Sequence, residues 1–262
     1  MTIGLIGGSG LNTFFAEDSS SEKSIETPYG VPSAAIQLDR IHGNKIAFLA
    51  RHGQPHRYPP DKIPYRANLF ALKKLGCEKI IAVNAVGGIH PDMQAPTHIV
   101  LPDQLIDYTY GREHSYYDAS PESPERLPTA INPYLTQALD HIEFGQPFCE
   151  NLRQQLITSA HYCDLSCSAT ATYGCTQGPR LETEAEIRKL TQDGCDIVGM
   201  TAMPEAALAK ELGMSYASVC LVVNPAAGCS DQPITMNQLH QAMIDGMGNI
   251  KRLVKHTLES LR

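Results

Sequence analysis

Short apolar runs alternate with longer amphipathic stretches along this 262-residue sequence. The runs have the length and the apolar content of buried strands, and the stretches between them have helical spacing. Strand, helix, strand order requires crossover connections, so we predict an α/β fold with a largely parallel sheet. The predicted strands are residues 3–6, 45–50, 79–84, 98–101, 196–200 and 215–223.

Amphipathic spacing predicts helices between and after these strands, the last of them packing on the outside of the sheet. Three polar segments are interpreted as surface loops. A chain of this length forms one domain or two small ones. The predicted helices are 65–75, 147–162, 183–192, 204–212 and 237–262, and the predicted loops are 17–27, 111–129 and 226–233.

The charge balance excludes several classes of partner. The chain has 21 basic and 28 acidic side chains, a net charge of −7, and no clustered basic run. Binding to nucleic acid needs such clusters, and crossing a membrane needs about 18–20 consecutive apolar residues, which the sequence lacks. We therefore expect a cytoplasmic protein without nucleic-acid or membrane partners, in which any bound anion is held by a local site.

The sequence contains eight cysteines, and none of them form CxxC pairs. Several lie inside apolar runs, where a free cysteine packs as a small hydrophobic residue. We predict reduced thiols, many of them buried, and no metal site. Cys163 and Cys167 are close enough in sequence to merit a redox test.

The loops after the strands are the places to look for a site, because ligands of open parallel sheets bind beyond the carboxyl ends of the strands. Ser9 lies in a glycine loop that can offer amides and a hydroxyl to an anion, although a tight turn is an equal alternative. Arg51 and His52 follow the second strand, and the arginine fork suits phosphate. The alternatives there are a surface ion pair, and a metal pair of His52 with His56 that Gly53 and Pro55 disfavour.

Later strand ends also carry polar residues. Asn84 begins a glycine-containing segment that we interpret as a turn, with the asparagine as an alternative turn or cap residue. Glu182 precedes a helix that Thr183 can cap, with a plain helix-dipole role as its alternative. Thr201 can place a hydroxyl near an anion, and Asn224 offers both a donor and an acceptor.

Taken in order, five motifs resemble those of the trimeric purine nucleoside phosphorylase and methylthioadenosine phosphorylase family. The resemblance implies one α/β domain over residues 1–262, built on a twisted mixed sheet flanked by helices. It also implies reversible phosphorolysis of a purine nucleoside by a homotrimer with active sites near the subunit interfaces. The motifs are Gly7-Gly8-Ser9-Gly10, Arg51-His52-Gly53, Asn84-Ala85-Val86-Gly87-Gly88, Gly178-Pro179-Arg180 and Gly199-Met200-Thr201.

Family chemistry needs no protein nucleophile, because phosphate itself attacks the anomeric carbon. The resemblance implies inorganic phosphate as co-substrate, no cofactor, and catalysis through Arg51, His52 and Asn224, with Met200 under the ribose. The implied phosphate site consists of Ser9, Arg51, His52, Asn84, Ala85 and Thr201.

The sequence departs from methylthioadenosine phosphorylases at the purine end. Asn224, Pro225 and Ala226 stand where those enzymes have Asp-x-Asp, and Glu182 stands where they have a small residue. An asparagine can donate to N7 or a 6-oxo group, and a carboxylate accepts from N1–H of a 6-oxopurine but faces the lone pair of adenine N1. Such mismatches change specificity by ~10⁴-fold. We expect hypoxanthine to be the preferred base.

The other end of the substrate points to a methylthio group. Met236 replaces the histidine that meets the ribose 5′-hydroxyl in inosine phosphorylases, although plain helix packing is its alternative. His141 resembles the segment that reaches a neighbouring subunit in methylthioadenosine phosphorylases. The expected substrate is S-methyl-5′-thioinosine. The alternatives are methylthioadenosine, inosine or guanosine, and a non-catalytic nucleoside or phosphate binding protein.

Overall fold

The computed structural model of the chain describes residues 1–11, 21–117, 132–135 and 140–261. These residues form eleven strands, which join in one sheet. They are β1 (Thr2–Gly7), β2 (Ser21–Lys23), β3 (Ile36–Ile41), β4 (Asn44–Ala50), β5 (Cys77–Gly88), β6 (Ile99–Val100), β7 (Gln104–Asp107), β8 (Cys167–Ser168), β9 (Thr172–Cys175), β10 (Ile197–Gly199) and β11 (Ser215–Pro225).

The centre of the sheet is parallel. β1 lies between β4 and β5, and β11 pairs with the other edge of β5, all in parallel register. The end of β5 pairs with β10 in antiparallel register, and β2, β3 and β4 form an antiparallel edge. The predicted α/β fold with a mixed, largely parallel sheet is confirmed, whereas a single domain over residues 1–262 stays a prediction.

Helices cover both faces of the sheet. The described residues contain α1 (Tyr65–Lys74), α2 (Glu150–Tyr162), α3 (Glu184–Gln192), α4 (Ala202–Glu211) and α5 (Met236–Ser260). One core lies between the sheet and α1 with α4, and a second core packs α2 and α5 against the other face. Among the described residues, no helix combines the length and apolarity needed to cross a membrane.

The last helix packs outside the sheet as predicted. Its apolar stripe, including Ile250 and Leu253, is buried against β1 and β11. Asn44 in β4 donates its side-chain amide to the carbonyls of Leu258 and Leu261, 2.8 and 2.6 Å away. These bonds satisfy carbonyls that the end of a helix leaves unpaired.

Two local predictions are wrong. The segment 17–27 was expected to be a loop, but it contains β2, which pairs with β3. The residues of β2 are exposed, so this strand has no apolar signature in the sequence. The segment from Asn84 to Gly88 is not a turn, because β5 continues through both glycines and pairs there with β10 and β11. Of the predicted loop 111–129, residues 118–129 lie outside the described residues.

Candidate active site

A cavity of about 300 Å³ opens where the carboxyl ends of β1, β4, β5, β10 and β11 meet. The parallel centre of the sheet brings the ends of β1 and β4 beside β5 and β11 at one edge. β10 is antiparallel to β5 and ends at the cavity from the opposite direction. Most of the residues predicted for a site line this cavity. They are Arg51, His52, Asn84, Ala85, Glu182, Met200, Thr201, Asn224 and Ala226.

Four of the predicted residues are not placed in its wall. Pro225 and the exposed His141 do not line the cavity, and the side chain of Ser9 lies outside the described part of the chain. Met236 is the first residue of α5 and is 62% exposed. Residues close to it in sequence supply an apolar wall instead, namely Ile234, Leu239, Met243 and Met247.

Arg51 forms a buried ion pair instead of the surface pair considered from sequence. Its Nε and Nη2 donate to the two carboxylate oxygens of Glu205 at 2.8 and 3.0 Å. The third engaged nitrogen, Nη1, donates to the Val83 carbonyl at 2.9 Å, and Tyr216 donates its hydroxyl to Glu205 at 2.8 Å. Three of the five guanidinium N–H groups are thus engaged within the described residues, which leaves two to donate to an anion.

The ion pair fixes the charge of Arg51. Burial alone would lower the pKa of the guanidinium, but the charge and hydrogen bonds of Glu205 outweigh burial and raise the pKa. The backbone holds the arginine as well, because its N–H donates to the Gly7 carbonyl at 2.9 Å. The loops after β1 and β4 are therefore joined at the residue that lines the cavity.

His52 is neutral near pH 7 in this setting. Burial lowers the pKa of its imidazole to about 4. Its Nδ1 lies 2.9 Å from the carbonyl oxygen of Tyr58, an acceptor, so Nδ1 carries the proton and Nε2 carries a lone pair. The sequence suggested that either nitrogen can donate to an anion, whereas this tautomer can only accept at Nε2. The ring stacks on His56, with centroids 4.4 Å apart.

A row of buried polar groups lies behind Thr201. Its hydroxyl donates to Asn84 Oδ1 at 2.8 Å, and Asn84 Nδ2 donates to the Ser218 hydroxyl at 2.6 Å. Ser218 Oγ in turn lies 3.2 Å from the sulfur of Cys220. Turning the Asn84 amide by about 180° reverses these bonds and frees the Thr201 hydroxyl to donate into the cavity.

The loop before α3 brings Glu182 to the cavity. Gly178 has a φ of 63°, which favours glycine, and a Cβ at that position would lie 2.5 Å from the sulfur of Met200. The Thr176 hydroxyl donates to Glu182 Oε1 at 2.5 Å. The predicted cap at the start of α3 is confirmed, because Thr183 and Glu186 form a reciprocal capping box.

Asn224 reaches the cavity from an irregular part of β11. The register between β11 and β5 shifts between Val222 and Asn224, so that Asn224 lies opposite Gly87. Its Nδ2 donates to the Pro225 carbonyl at 2.5 Å. An amide nitrogen has two N–H groups, so one remains for a ligand.

Sequence reasoning missed several polar residues that support the site. Glu205 was assigned no role, and Ser218 stands out in retrospect as a hydroxyl within the apolar middle of a predicted strand. Tyr216 and Arg112 gave no signal, because their roles depend on contacts between distant segments.

The described residues contain no cluster of metal-ligating side chains. All eight cysteines are free, and Cys77, Cys175, Cys195 and Cys220 are buried. Burial raises the pKa of the Cys175 and Cys220 thiols to about 12, which keeps both protonated. The Cys163 thiol lies 3.8 Å from the Arg252 carbonyl.

Comparison with known proteins gives one consistent result. The family model described as "Phosphorylase superfamily" matches residues 2–259. A "Probable S-methyl-5'-thioinosine phosphorylase" of Pseudomonas syringae pv. tomato is 46% identical, covering 98% of each chain. The "6-oxopurine nucleoside phosphorylase" of Pyrococcus furiosus is 42% identical, covering 96% of this chain and 90% of the relative. A solved methylthioadenosine phosphorylase from Schistosoma mansoni in complex with adenine is 29% identical with a TM-score of 0.90, covering 100% of this chain and 92% of that one.

Proposed function

Since this chain belongs to the phosphorylase superfamily, we propose that it catalyses phosphorolysis of S-methyl-5′-thioinosine. The reaction transfers the pentosyl group to inorganic phosphate and releases hypoxanthine and 5-methylthioribose 1-phosphate. The enzyme is a pentosyltransferase of the purine nucleoside phosphorylase type, for which phosphate is a co-substrate and no cofactor is proposed.

One observation carries this proposal. A single cavity is lined by three groups of residues. They are Arg51 with Thr201, the carboxylate of Glu182 with the amide of Asn224, and the apolar side chains of Ile234 and of α5. These three groups match the phosphate co-substrate and two parts of the nucleoside, its 6-oxopurine and its methylthio group. The relative from Pseudomonas syringae, named for methylthioinosine, supports the same assignment.

At the phosphate end, the two free N–H groups of Arg51 donate to the anion, beside the exposed Ala85 and the Ser9 loop. The Thr201 hydroxyl donates as well once the Asn84 amide, its acceptor in this structure, turns over. Hydrogen phosphate still carries one proton. The lone pair on His52 Nε2 can accept a hydrogen bond from that P–OH group. We propose that the site thereby positions an unprotonated phosphate oxygen for attack.

During the reaction, a phosphate oxygen forms a bond to the anomeric carbon while the bond to purine N9 breaks. The electron pair of the broken bond goes to the purine. The proton lost by hydrogen phosphate balances the proton gained by the purine, so hypoxanthine leaves as a neutral base. Asn224 donates to N7 or to the 6-oxo group, and this hydrogen bond stabilises the negative charge that develops on the leaving purine.

Glu182 completes the recognition of the base in this proposal. A carboxylate accepts from N1–H of hypoxanthine, whereas adenine presents a lone pair at N1. Met200 lies under the ribose, and Leu239 with Ile234 supplies the apolar surface for the methylthio group. Met236 and His141 are outside the cavity wall of this chain. Their proposed contacts with substrate therefore require either a conformational change in this chain or binding in the cavity of a neighbouring subunit.

The deciding experiment measures base release from methylthioinosine, methylthioadenosine and inosine, each with and without phosphate. We expect phosphate-dependent release that is fastest from methylthioinosine. Equal or faster release from methylthioadenosine, or from inosine, would identify the corresponding phosphorylase instead. Binding without phosphate-dependent release would identify a non-catalytic binding protein.

An Arg51→Lys variant tests the phosphate assignment. Lysine keeps a cation beside Glu205 but loses the fork of donors, so we expect the KM for phosphate to rise. Arg180→Lys, at an exposed arginine near Glu182, is the matched control. Unchanged phosphate kinetics in Arg51→Lys would remove Arg51 from the site.

The homotrimer and the cytoplasmic location are also part of the proposal. Both rest on the family resemblance and on the composition of the chain. Sedimentation equilibrium tests the trimer, and cell fractionation tests the location.

A further inference from the structure

We propose that Thr176 is a positioning residue that sets the selectivity for 6-oxopurines by holding one oxygen of Glu182. This inference rests on the proposed function, because it assigns Glu182 to the purine. Thr176 was not recognised from the sequence, and it precedes Glu182 by six residues in the same loop.

Thr176 is held at both of its backbone groups. It directly follows β9, and its N–H donates to the Gly199 carbonyl of the neighbouring β10 at 2.8 Å. Its own carbonyl accepts from Nη2 of Arg112 at 3.2 Å. The position of its hydroxyl is therefore fixed relative to the sheet.

Arg112 fastens this loop to the segment that carries Thr201. Nη1 donates to the carbonyls of Met200 and Met203 at 2.9 and 2.5 Å. Nη2 donates to the carbonyls of Thr176 and Gln177, and Nε donates to the side-chain oxygen of Gln177. All five N–H groups of this buried guanidinium are thus engaged, and they link the purine and phosphate ends of the cavity.

The hydroxyl of Thr176 points from this fixed backbone to Glu182. It donates to Oε1 at 2.5 Å and lies farther, at 3.3 Å, from the Gly199 carbonyl. Hydroxyl bonds to carboxylates are short and strong. Oε1 is the only oxygen of Glu182 bonded within the described residues, so Oε2 is available to the base.

A fixed carboxylate discriminates between bases better than a mobile one. With Oε1 held, Oε2 cannot turn away from the lone pair of adenine N1, and it accepts from N1–H of hypoxanthine without first being ordered. Without the hydroxyl, the carboxylate gains rotational freedom. The carboxylate must then lose this freedom to bind hypoxanthine, and it can rotate away from the lone pair of adenine N1.

The test uses Thr176→Val, which has nearly the same shape and lacks the hydroxyl. The readout is the ratio of kcat/KM for methylthioinosine to kcat/KM for methylthioadenosine, since these substrates share every group except those on the purine. We expect the ratio to fall by about tenfold, the low end of the effect of a hydrogen bond to a charged group, with an unchanged KM for phosphate. Thr176→Ser keeps a hydroxyl and should restore the ratio.

The matched control is Thr172→Val, because Thr172 lies in β9 and outside the cavity wall. It should leave the ratio unchanged. Should Thr176→Val fold poorly, Thr176→Cys keeps the volume with a weaker donor, and a lowered ratio there supports the proposal. An unchanged ratio in a folded valine or cysteine variant overturns it.

The same measurements separate this inference from the proposed function. If the wild-type protein prefers methylthioinosine and the Thr176→Val variant shows the same preference, only the role of Thr176 is contradicted. Wild-type protein without a preference for 6-oxopurines contradicts both.

Discussion

The guanidinium of Arg51 and the carboxylate of Glu205 form a two-point ion pair whose side chains are 2% and 0% exposed. The partners are 154 residues apart in the chain. Because Glu205 takes two N–H groups and orients the plane of the guanidinium, it decides which donors remain for an anion. Its negative charge also balances the positive charge of Arg51, so the affinity for phosphate depends on directed hydrogen bonds more than on net charge.

Removing Glu205 should be costly. Glu205→Gln leaves a buried cation without its counter-charge, and breaking buried pairs destabilises proteins by about 3–5 kcal/mol. Urea unfolding should show a loss of this size. Glu184→Gln, which breaks an exposed pair with Arg188, should cost no more than about 1 kcal/mol. Equal losses in the two variants would contradict the importance of burial.

Ser218→Ala tests the polar row behind Thr201. The variant leaves Nδ2 of the buried Asn84 without its partner, which costs about 1–3 kcal/mol. We also expect a higher KM for phosphate, because the Asn84 amide no longer has a fixed orientation against Thr201. Ser215→Ala, in the same strand but outside this polar row, is the control. A phosphate KM that is unchanged in Ser218→Ala would show that the row is only structural.

The neutral state of His52 predicts a specific loss of stability in acid. Its native pKa of about 4 lies below the ordinary value of 6.5, so between these values the unfolded chain binds more protons. The free energy of unfolding therefore falls as the pH drops from 6.5 to 4, by about 3 kcal/mol from this group. Urea titrations from pH 7 to pH 4 should show a smaller decline in His52→Gln than in wild type. The same decline in both proteins would mean that His52 is not held neutral by burial.

Two residues near the start of α5 separate the predicted and the observed methylthio pockets. Leu239→Ala removes part of the apolar cavity wall, and kcat/KM for methylthioinosine should fall by about tenfold relative to inosine. Met236→Ala, at an exposed residue one turn earlier, should change this ratio by less than about twofold. The reverse order of effects would favour Met236 as the residue that contacts the substrate.

Asn224→Asp tests the purine end. An aspartic acid can donate to N7 and accept from a 6-amino group, so the preference should shift toward methylthioadenosine by about tenfold. Asn224→Ala removes the amide without adding an acid, and it should slow both substrates without that shift. An unchanged preference in Asn224→Asp would show that another residue recognises the base.

Much of the central fold was predictable from local patterns. The strands β1, β4, β5 and β11 are continuous apolar runs because both of their faces are buried. The start of α3 was predictable because a capping box needs only Thr183 and Glu186. By contrast, β2 and β7 are short strands with exposed or half-buried residues, and pairing with their neighbours defines them.

The candidate site divides in the same way. The sequence by itself determined which residue types follow the strands, because a glycine, an arginine or an asparagine at a strand end is a local feature. Tertiary structure decided what those residues can do. It gave Arg51 a buried counter-charge and put Leu239 instead of Met236 in the cavity wall. It also made Nε2 of His52 a hydrogen-bond acceptor, whereas the sequence predicted a donor. These outcomes depend on contacts between segments far apart in the chain and on the rotation of a helix against the sheet, which no local pattern encodes.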